Sequence, residues 1–367
     1  MAASSSAAPA LAPQRLLSIQ SHVVSGYVGN RCSTFPLQLL GWDVDVCNTT
    51  QLSNHTGYRR MGGCRLDAEH LQSVLQGLQQ NGLVRYARLL TGYTPSPTAL
   101  HVISQFIASV RKAHARVPTY LLDPVLGDTD RGYYVDTACL PLYRELMPLA
   151  DIITPNSWEA EQLAARSISD RSSLLSVLAT LHVTYGVRHV VLTSLERVPD
   201  DIGVEKGDMV QVGSSFDVDA ARGEGKQVLL QPWIIRFPHV EGHFVGVGDL
   251  FSALVLGRFK TDTQGEGITP LATAAELAIA SVAGVLKHTV DAATNEAASA
   301  PQAATPADAS QELTAEQQAE AHVLYARTHE LRLIQARQEL ERPQVRWRAA
   351  WLMQEQKVSV EVPERPQ

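Results

Sequence analysis

The chain has 367 residues and carries 31 Lys and Arg against 38 Asp and Glu, a formal charge of −7. That acidic balance argues against a nucleic-acid partner, whose footprint is a basic patch. With 45% hydrophobic and 19% charged residues, the sequence can fill a sizeable core, which excludes wholesale disorder.

Residues 1–14, MAASSSAAPALAPQ, lack the charged start and compact apolar core of a secretory signal. They read as a disordered tail in preference to a transit peptide. Short apolar runs then recur at 16–19, 44–46, 87–90, 120–122, 152–153 and 190–192 and predict buried strands. Helical patterns lie between them at 30–40, 67–78, 98–115, 140–146 and 172–185. Such alternation predicts an α/β fold with a mostly parallel sheet covered on both faces. From 196 to 233 the sequence turns polar and Gly-rich, with short strand candidates at 209–212 and 228–230; a small antiparallel excursion at one sheet edge is expected there. The most apolar long stretch, 268–286, contains Pro270 and Glu276 and reads as a buried helix, not a membrane span. Residues 291–313 are Ala-, Pro- and Ser-rich and cannot offset the entropy of ordering, so they read as a linker. Thr314 and Gln317 fit a capping box, and a C-terminal helix followed by an edge strand is expected over 314–353, with a tail at 354–367. The main domain is thereby set at 15–290.

Cys32, Cys47, Cys64 and Cys139 are scattered and read as reduced thiols. The twelve histidines show no paired metal spacing, so His22 and His55 read as packing or hydrogen-bonding residues. Gly223-Glu224-Gly225-Lys226 lacks the rest of a P-loop, and Gly246-Val247-Gly248 lacks the third glycine of a dinucleotide fingerprint.

In an open α/β sheet the ligand sits outside the carboxyl ends of the strands. Polar residues follow each of the six apolar runs: Gln20 to His22, Ser53 to Tyr58, Thr91 to Tyr93, Asp123 to Asp128, Thr154 to Glu159, and Thr193 with Ser194. Asp123 and Asp128 suit Mg²⁺, which takes one or two carboxylates together with substrate phosphates, or else form a solvated turn. Asn156 and Glu159 form either a helix cap or ligands for nucleotide and hydrated metal. Gly246-Val247-Gly248-Asp249 runs into an apolar helical stretch. Backbone N–H groups there can converge on an anion, and Asp249 either accepts a proton from an attacking hydroxyl or caps the helix.

The segments SIQSHVVSGYVGNRCSTF, SNHTGY, LTGYTPS, LLDPVLGD, PLADIITPNSWEAE and FVGVGDLFSALVL together resemble the eukaryotic pyridoxal kinases of the ribokinase-like superfamily. The resemblance covers about 16–288 and resumes around 330–349. It implies a three-layer sandwich and ATP-dependent phosphorylation of the 5′-hydroxymethyl group of pyridoxal, pyridoxine and pyridoxamine. On this resemblance Asp249 is the catalytic base and Gly246, Val247 and Gly248 form the anion hole. Ser21, Thr56 and Tyr93 match vitamer-side positions. Asp123, Tyr134, Asn156, Glu159, Thr193, Ser194, Val240, Glu241 and Gly242 match positions around ATP. Asp128 matches a Mg²⁺-associated aspartate, and Asp123, Thr154, Glu159 and Thr193 match a site for K⁺ or Na⁺. A cytoplasmic homodimer is implied, with the nucleus as a further location. Val247 departs from the threonine usual between the two glycines and removes a hydroxyl that reaches phosphate. The alternatives are a kinase for hydroxymethylpyrimidine or another small alcohol, and a pyridoxal-binding protein without turnover.

Overall fold

The structure, a computed structural model, describes residues 14–113, 117–195, 197–205, 207–217, 227–260, 267–299, 314–353 and 358–361. The tail expected at 1–14 (but for Gln14), the glycine turn at 223–226 and the greater part of the expected linker lie outside the described residues.

Consecutive apolar residues are split between the two faces of one sheet. Leu17, Leu89, Tyr120, Leu122, Ile153 and Val190 belong to one buried cluster, and Leu16, Leu90, Leu121, Ile152 and Val191 to the other. This follows from the two-residue period of a strand. It also explains why these strands read as unbroken apolar runs: both faces are covered. Each fully buried aliphatic side chain contributes about 1.5–3 kcal/mol relative to exposure, so a one-residue slip would reverse both faces at once.

The sheet has nine strands. In spatial order they are Ala350–Trp351, Trp233–Pro238, Asp208–Ser215, His189–Leu192, Ile152–Ile153, Thr119–Leu122, Arg88–Thr91, Arg15–Gln20 and Asp43–Asn48. The six from His189–Leu192 to Asp43–Asn48 pair in parallel, and the remaining three extend the sheet antiparallel. Residues from helices Ala68–Gln80, Pro97–Ala113, Cys139–Leu146, Ser157–Ala164 and Arg171–Ala179 join the first cluster. Those from Gly29–Leu39, Val247–Arg258 and Pro270–Ser299 join the second. The three-layer sandwich implied by the resemblance is what forms. Residues 270–296 are long and apolar enough to span a membrane, but 56% of their apolar window is buried inside the fold, as for a core helix.

Several boundaries differ from the sequence reading. Trp233–Pro238 is a full strand of the main sheet, although the antiparallel excursion was expected to end at Trp233. Gln227–Leu230 leaves that sheet and pairs with Val358–Glu361, inside the stretch expected as a tail. Helix Pro270–Ser299 runs nine residues into the expected linker, because its Ala-rich end has high helix propensity. The expected helix at 172–185 ends as α-helix at Ala179 and continues as a π-turn, Thr180–Thr184. The C-terminal helix Ala315–Thr328 starts with the expected capping box, but its continuation is a turn and a short helix, Arg337–Glu341.

Candidate functional site

The carboxyl ends of the parallel strands open into a cavity of about 1530 Å³. Ser21, Thr56, Tyr93, Asp123, Asp128, Tyr134, Thr154, Asn156, Glu159, Thr193, Ser194, Val240, Gly242, Gly246, Val247, Gly248 and Asp249 all line it. Of the residues that the resemblance assigns to the site, Glu241 alone is missing from the wall; it is exposed. The neighbouring glycine Gly242 takes the lining position.

At the start of helix Val247–Arg258, Gly246 adopts φ 88°. An added Cβ there would fall 2.1 Å from the Tyr27 carbonyl oxygen, so a side chain is excluded on both conformational and steric grounds. The first intrahelical bond runs from Leu250 N–H to the Gly246 carbonyl at 3.0 Å. The N–H groups of residues 247–249 precede it and lack intrahelical acceptors, leaving donors beside the cavity at the positive end of the helix dipole.

Asp249 does not cap this helix. Its Oδ2 accepts a hydrogen bond from Gly29 N–H at 2.8 Å, across 220 residues of chain. Burial pushes its carboxyl up to about 6, while the Gly29 bond acts in the opposite direction. Gly29 has φ 50°, and a Cβ there would lie 2.2 Å from the Ser21 carbonyl oxygen. The loop before the first helix can therefore approach Asp249 only with glycine at this position.

A second group of carboxylates lies deeper. Asp123 is 5% exposed. Burial, followed by the charges of Glu159 and Asp249, holds its carboxyl well above the usual range, with the Ser252 hydroxyl opposing. Ser252 Oγ lies 3.0 Å from Asp123 Oδ2 and 2.9 Å from Thr154 Oγ1, linking two strand ends to the helix that carries Asp249. Glu159 Oε1 accepts from the N–H groups of Leu126 and Gly127, and its Oε2 from Asn156 N–H at 2.9 Å. Asn156 Oδ1 accepts from Glu159 N–H and Nδ2 donates to the Gly127 carbonyl, both at 2.8 Å. Asn156 and Glu159 thus form a capping box whose carboxylate also braces the loop after Leu122. Thr193 and Ser194 complete this end through main-chain bonds to Pro155 and Ser157.

Above it, the hairpin of Gly127–Asp128 and Gly132–Tyr133 carries Asp128, whose carboxylate accepts from Arg131 N–H and the Tyr134 hydroxyl. The Arg131 guanidinium reaches His243 Nε2 at 2.9 Å, joining this hairpin to the loop before Gly246. Among the described residues no group of three or more His, Cys, Asp and Glu side chains forms a metal cluster. Asp123, Thr154, Glu159 and Thr193 offer only oxygen donors, the kind a hard monovalent cation takes, and Asp128 offers a carboxylate of the kind that holds hydrated Mg²⁺.

Sequence reading missed Ser252, Arg131, His243 and the acceptor role of Asp249 towards Gly29. Ser252 alone left a signal: it stands three residues after Asp249 in a helix, hence on the same face. His55, read as packing or hydrogen-bonding, is 6% exposed and accepts from Gly57 N–H through Nδ1 at 3.1 Å.

A family model described as phosphomethylpyrimidine kinase matches residues 93–225. Human pyridoxal kinase is 40% identical over 246 residues, covering 66% of this chain and 76% of that protein. The pyridoxal kinase of Arabidopsis thaliana is 37% identical over 278 residues, covering 76% of this chain and 82% of the relative. The solved structure of pyridoxal kinase from Leishmania donovani with ADP and pyridoxamine superposes with a TM-score of 0.72 at 29% identity, covering 92% of this chain and 99% of that one. With a shared fold and this level of identity across most of the relatives' length, the chain belongs to the pyridoxal kinase family.

Proposed function

We propose that the chain transfers the γ-phosphoryl group of ATP to the hydroxymethyl oxygen of a B6 vitamer, with Asp249 as general base. The kinase activity and its substrates, ATP and the B6 vitamers, follow from family membership; the residue roles are our reading of the cavity. The observation that carries it is the position of Asp249. Its carboxylate is held by Gly29 N–H at 2.8 Å, opens into the cavity and stands beside the unpaired N–H groups of the helix start.

On this reading Ser21, Thr56 and Tyr93 hold the vitamer. Asn156, Glu159, Thr193, Ser194, Val240, Gly242 and Tyr134 surround the nucleotide. Asp249 takes the hydroxyl proton, the freed oxygen forms a bond to the γ-phosphorus, and the bond to the β–γ bridging oxygen breaks to release ADP. The N–H groups at 247–249 meet the charge that develops on the transferring group. A pKa near 6 leaves Asp249 ionised at neutral pH yet more basic than an unshifted aspartate. Bound Mg²⁺ and a monovalent cation neutralise phosphate charge in such reactions; Asp128 would hold the first, and Asp123, Thr154, Glu159 and Thr193 the second. Asp123 is buried, and the charges of Glu159 and Asp249 lie close enough to act on it, which is the setting in which a bound cation would offset like charge.

A coupled assay of ADP release with Mg-ATP and each of pyridoxal, pyridoxine, pyridoxamine and hydroxymethylpyrimidine tests the reading. Turnover with the pyridines and not the pyrimidine is expected. The reverse preference would make the chain a pyrimidine kinase, and tight pyridoxal binding without turnover a binding protein. The homodimer and the cytoplasmic or nuclear location implied by the resemblance belong to the same proposal; sedimentation and fractionation test them.

A further inference from the structure

Glu330 follows helix Ala315–Thr328 and ends in a place that a surface glutamate would not choose. Its side chain is 13% exposed. Oε1 lies 3.0 Å from His55 Nε2 and 3.0 Å from the Tyr58 hydroxyl, and Oε2 accepts from Tyr27 N–H at 3.2 Å. Three donors therefore converge on one carboxylate, and no Lys or Arg pairs with it among the described residues. The positions 27 and 58 belong to the two loops that flank the vitamer end of the cavity.

The hydrogen bonds fix the state of His55. Gly57 N–H donates to Nδ1, so Nδ1 carries no proton, and the ring's N–H is at Nε2, facing Glu330. A chain of donors thus runs from Gly57 N–H through the His55 ring to Glu330, with Thr56 held between its ends. The same C-terminal segment makes a second contact with this turn: His322 Nε2 donates to the Gly57 carbonyl at 2.6 Å. Tyr27 lies two residues before Gly29, the donor to Asp249.

We propose that Glu330 is a positioning residue for the vitamer. It reaches back from the C-terminal segment to set the shape of the turn at 55–58, and so governs affinity for the pyridine substrate and not for ATP. The inference rests on the assignment of Thr56 to the vitamer side. Tyr58 shares the carboxylate, and its hydroxyl is pushed up, by burial first and then by the Glu330 charge and hydrogen bond.

The test is steady-state kinetics of the full chain with pyridoxal and ATP varied separately, for E330A, E330Q, H322A and T56A. E330A leaves three donors unsatisfied and should raise KM for pyridoxal about tenfold or more, with KM for ATP within about twofold. E330Q keeps an acceptor for part of the set and should restore part of the loss, and H322A should shift KM for pyridoxal in the same direction by less. Equal rises in both KM values, with a matching loss of thermal stability, would reduce Glu330 to a structural role. An unchanged pyridoxal KM in E330Q and H322A would overturn the proposal even if E330A failed to fold. T56A separates the two levels: if it leaves pyridoxal KM unchanged, the assignment of this loop is wrong; if it raises KM while the Glu330 variants do not, only the positioning role fails.

Discussion

The two ends of the cavity are held in different ways. At the end assigned to the nucleotide, the capping box and the loop it braces are bonded within a short stretch of chain: Asn156 with Glu159, three apart, and Glu159 with Gly127 and Leu126, 32 and 33 apart; longer ties run from Arg131 to His243 and from Ser252 to Asp123, 112 and 129 apart. At the end assigned to the vitamer they span most of the protein. Gly29 to Asp249 crosses 220 residues, His322 to Gly57 265, Tyr58 to Glu330 272 and Tyr27 to Glu330 303. The nucleotide end thus rests largely on neighbouring strand–helix loops, whereas at the vitamer end the C-terminal segment supplies the bonds to Tyr27, Gly57 and Tyr58. Loss of the Glu330 and His322 contacts should therefore separate the two substrates, and the strand-end loops should tolerate it.

The sharpest test of this division is the residue at its boundary. Asp249→Ala should lower kcat by about 10³ while ATP binding persists, because the N–H groups at 247–249 and the box at 156–159 remain. Asp249→Asn keeps an acceptor for Gly29 N–H and should be as slow, which separates loss of the base from loss of the bond. A near-normal kcat in either variant would remove Asp249 from the chemistry.

The pH profile asks the same question without a mutation. Asp249 must be ionised to take a proton, and its carboxyl is pushed up to about 6 from an ordinary 3.8. kcat/KM should therefore fall about tenfold per unit as pH drops below about 6. The shift also has a sign in stability. Between 3.8 and 6 the native state holds this proton more tightly than the unfolded chain, so the contribution of Asp249 to stability declines as pH rises through that window. A kcat/KM profile flat down to pH 5 would show either that the carboxyl of the free enzyme is not raised to about 6 or that Asp249 is not the base.

A smaller effect is expected at the nucleotide end. Asn156→Ala removes the cap and the bond to Gly127 and should cost about 1 kcal/mol of stability, read as a shift in denaturant midpoint. KM for ATP should rise with it and KM for pyridoxal should not. Parallel rises would mean that the two ends are mechanically one.

The same contrast explains what could be read from sequence. Strands covered on both faces leave continuous apolar runs, and the polar residues at six successive strand ends mark the cavity wall in the sequence itself. The pair Asn156 and Glu159 carried its own spacing as a cap. Glu330 carried none: in sequence it is a glutamate near a polar helix, and its function depends on partners 272 and 303 residues away. Trp233–Pro238 was missed for a related reason, since its role as a sheet strand depends on Asp208–Ser215 on one side and Ala350–Trp351 on the other. The family resemblance pointed to Asp249 as the base, but its bond to Gly29 is visible only in the fold.

Val247 sharpens the comparison at the smallest scale, because it lines the cavity at the helix start that the proposed reading sets between the two substrates. Its backbone N–H is one of the three without an intrahelical acceptor, while its side chain is half-buried against the second core cluster. A threonine there keeps the branched shape and adds a hydroxyl towards the cavity. If that hydroxyl bonds the moving phosphoryl group, Val247→Thr should raise kcat about fivefold, the equivalent of about 1 kcal/mol for one uncharged hydrogen bond. Exchanging a methyl for a hydroxyl also forfeits some apolar burial, so stability should fall by up to about 1 kcal/mol. Gain in rate with a small loss of stability would show that the native valine trades transition-state contact for packing. An unchanged kcat would show that the amides at 247–249 suffice and that the hydroxyl is dispensable in this chain.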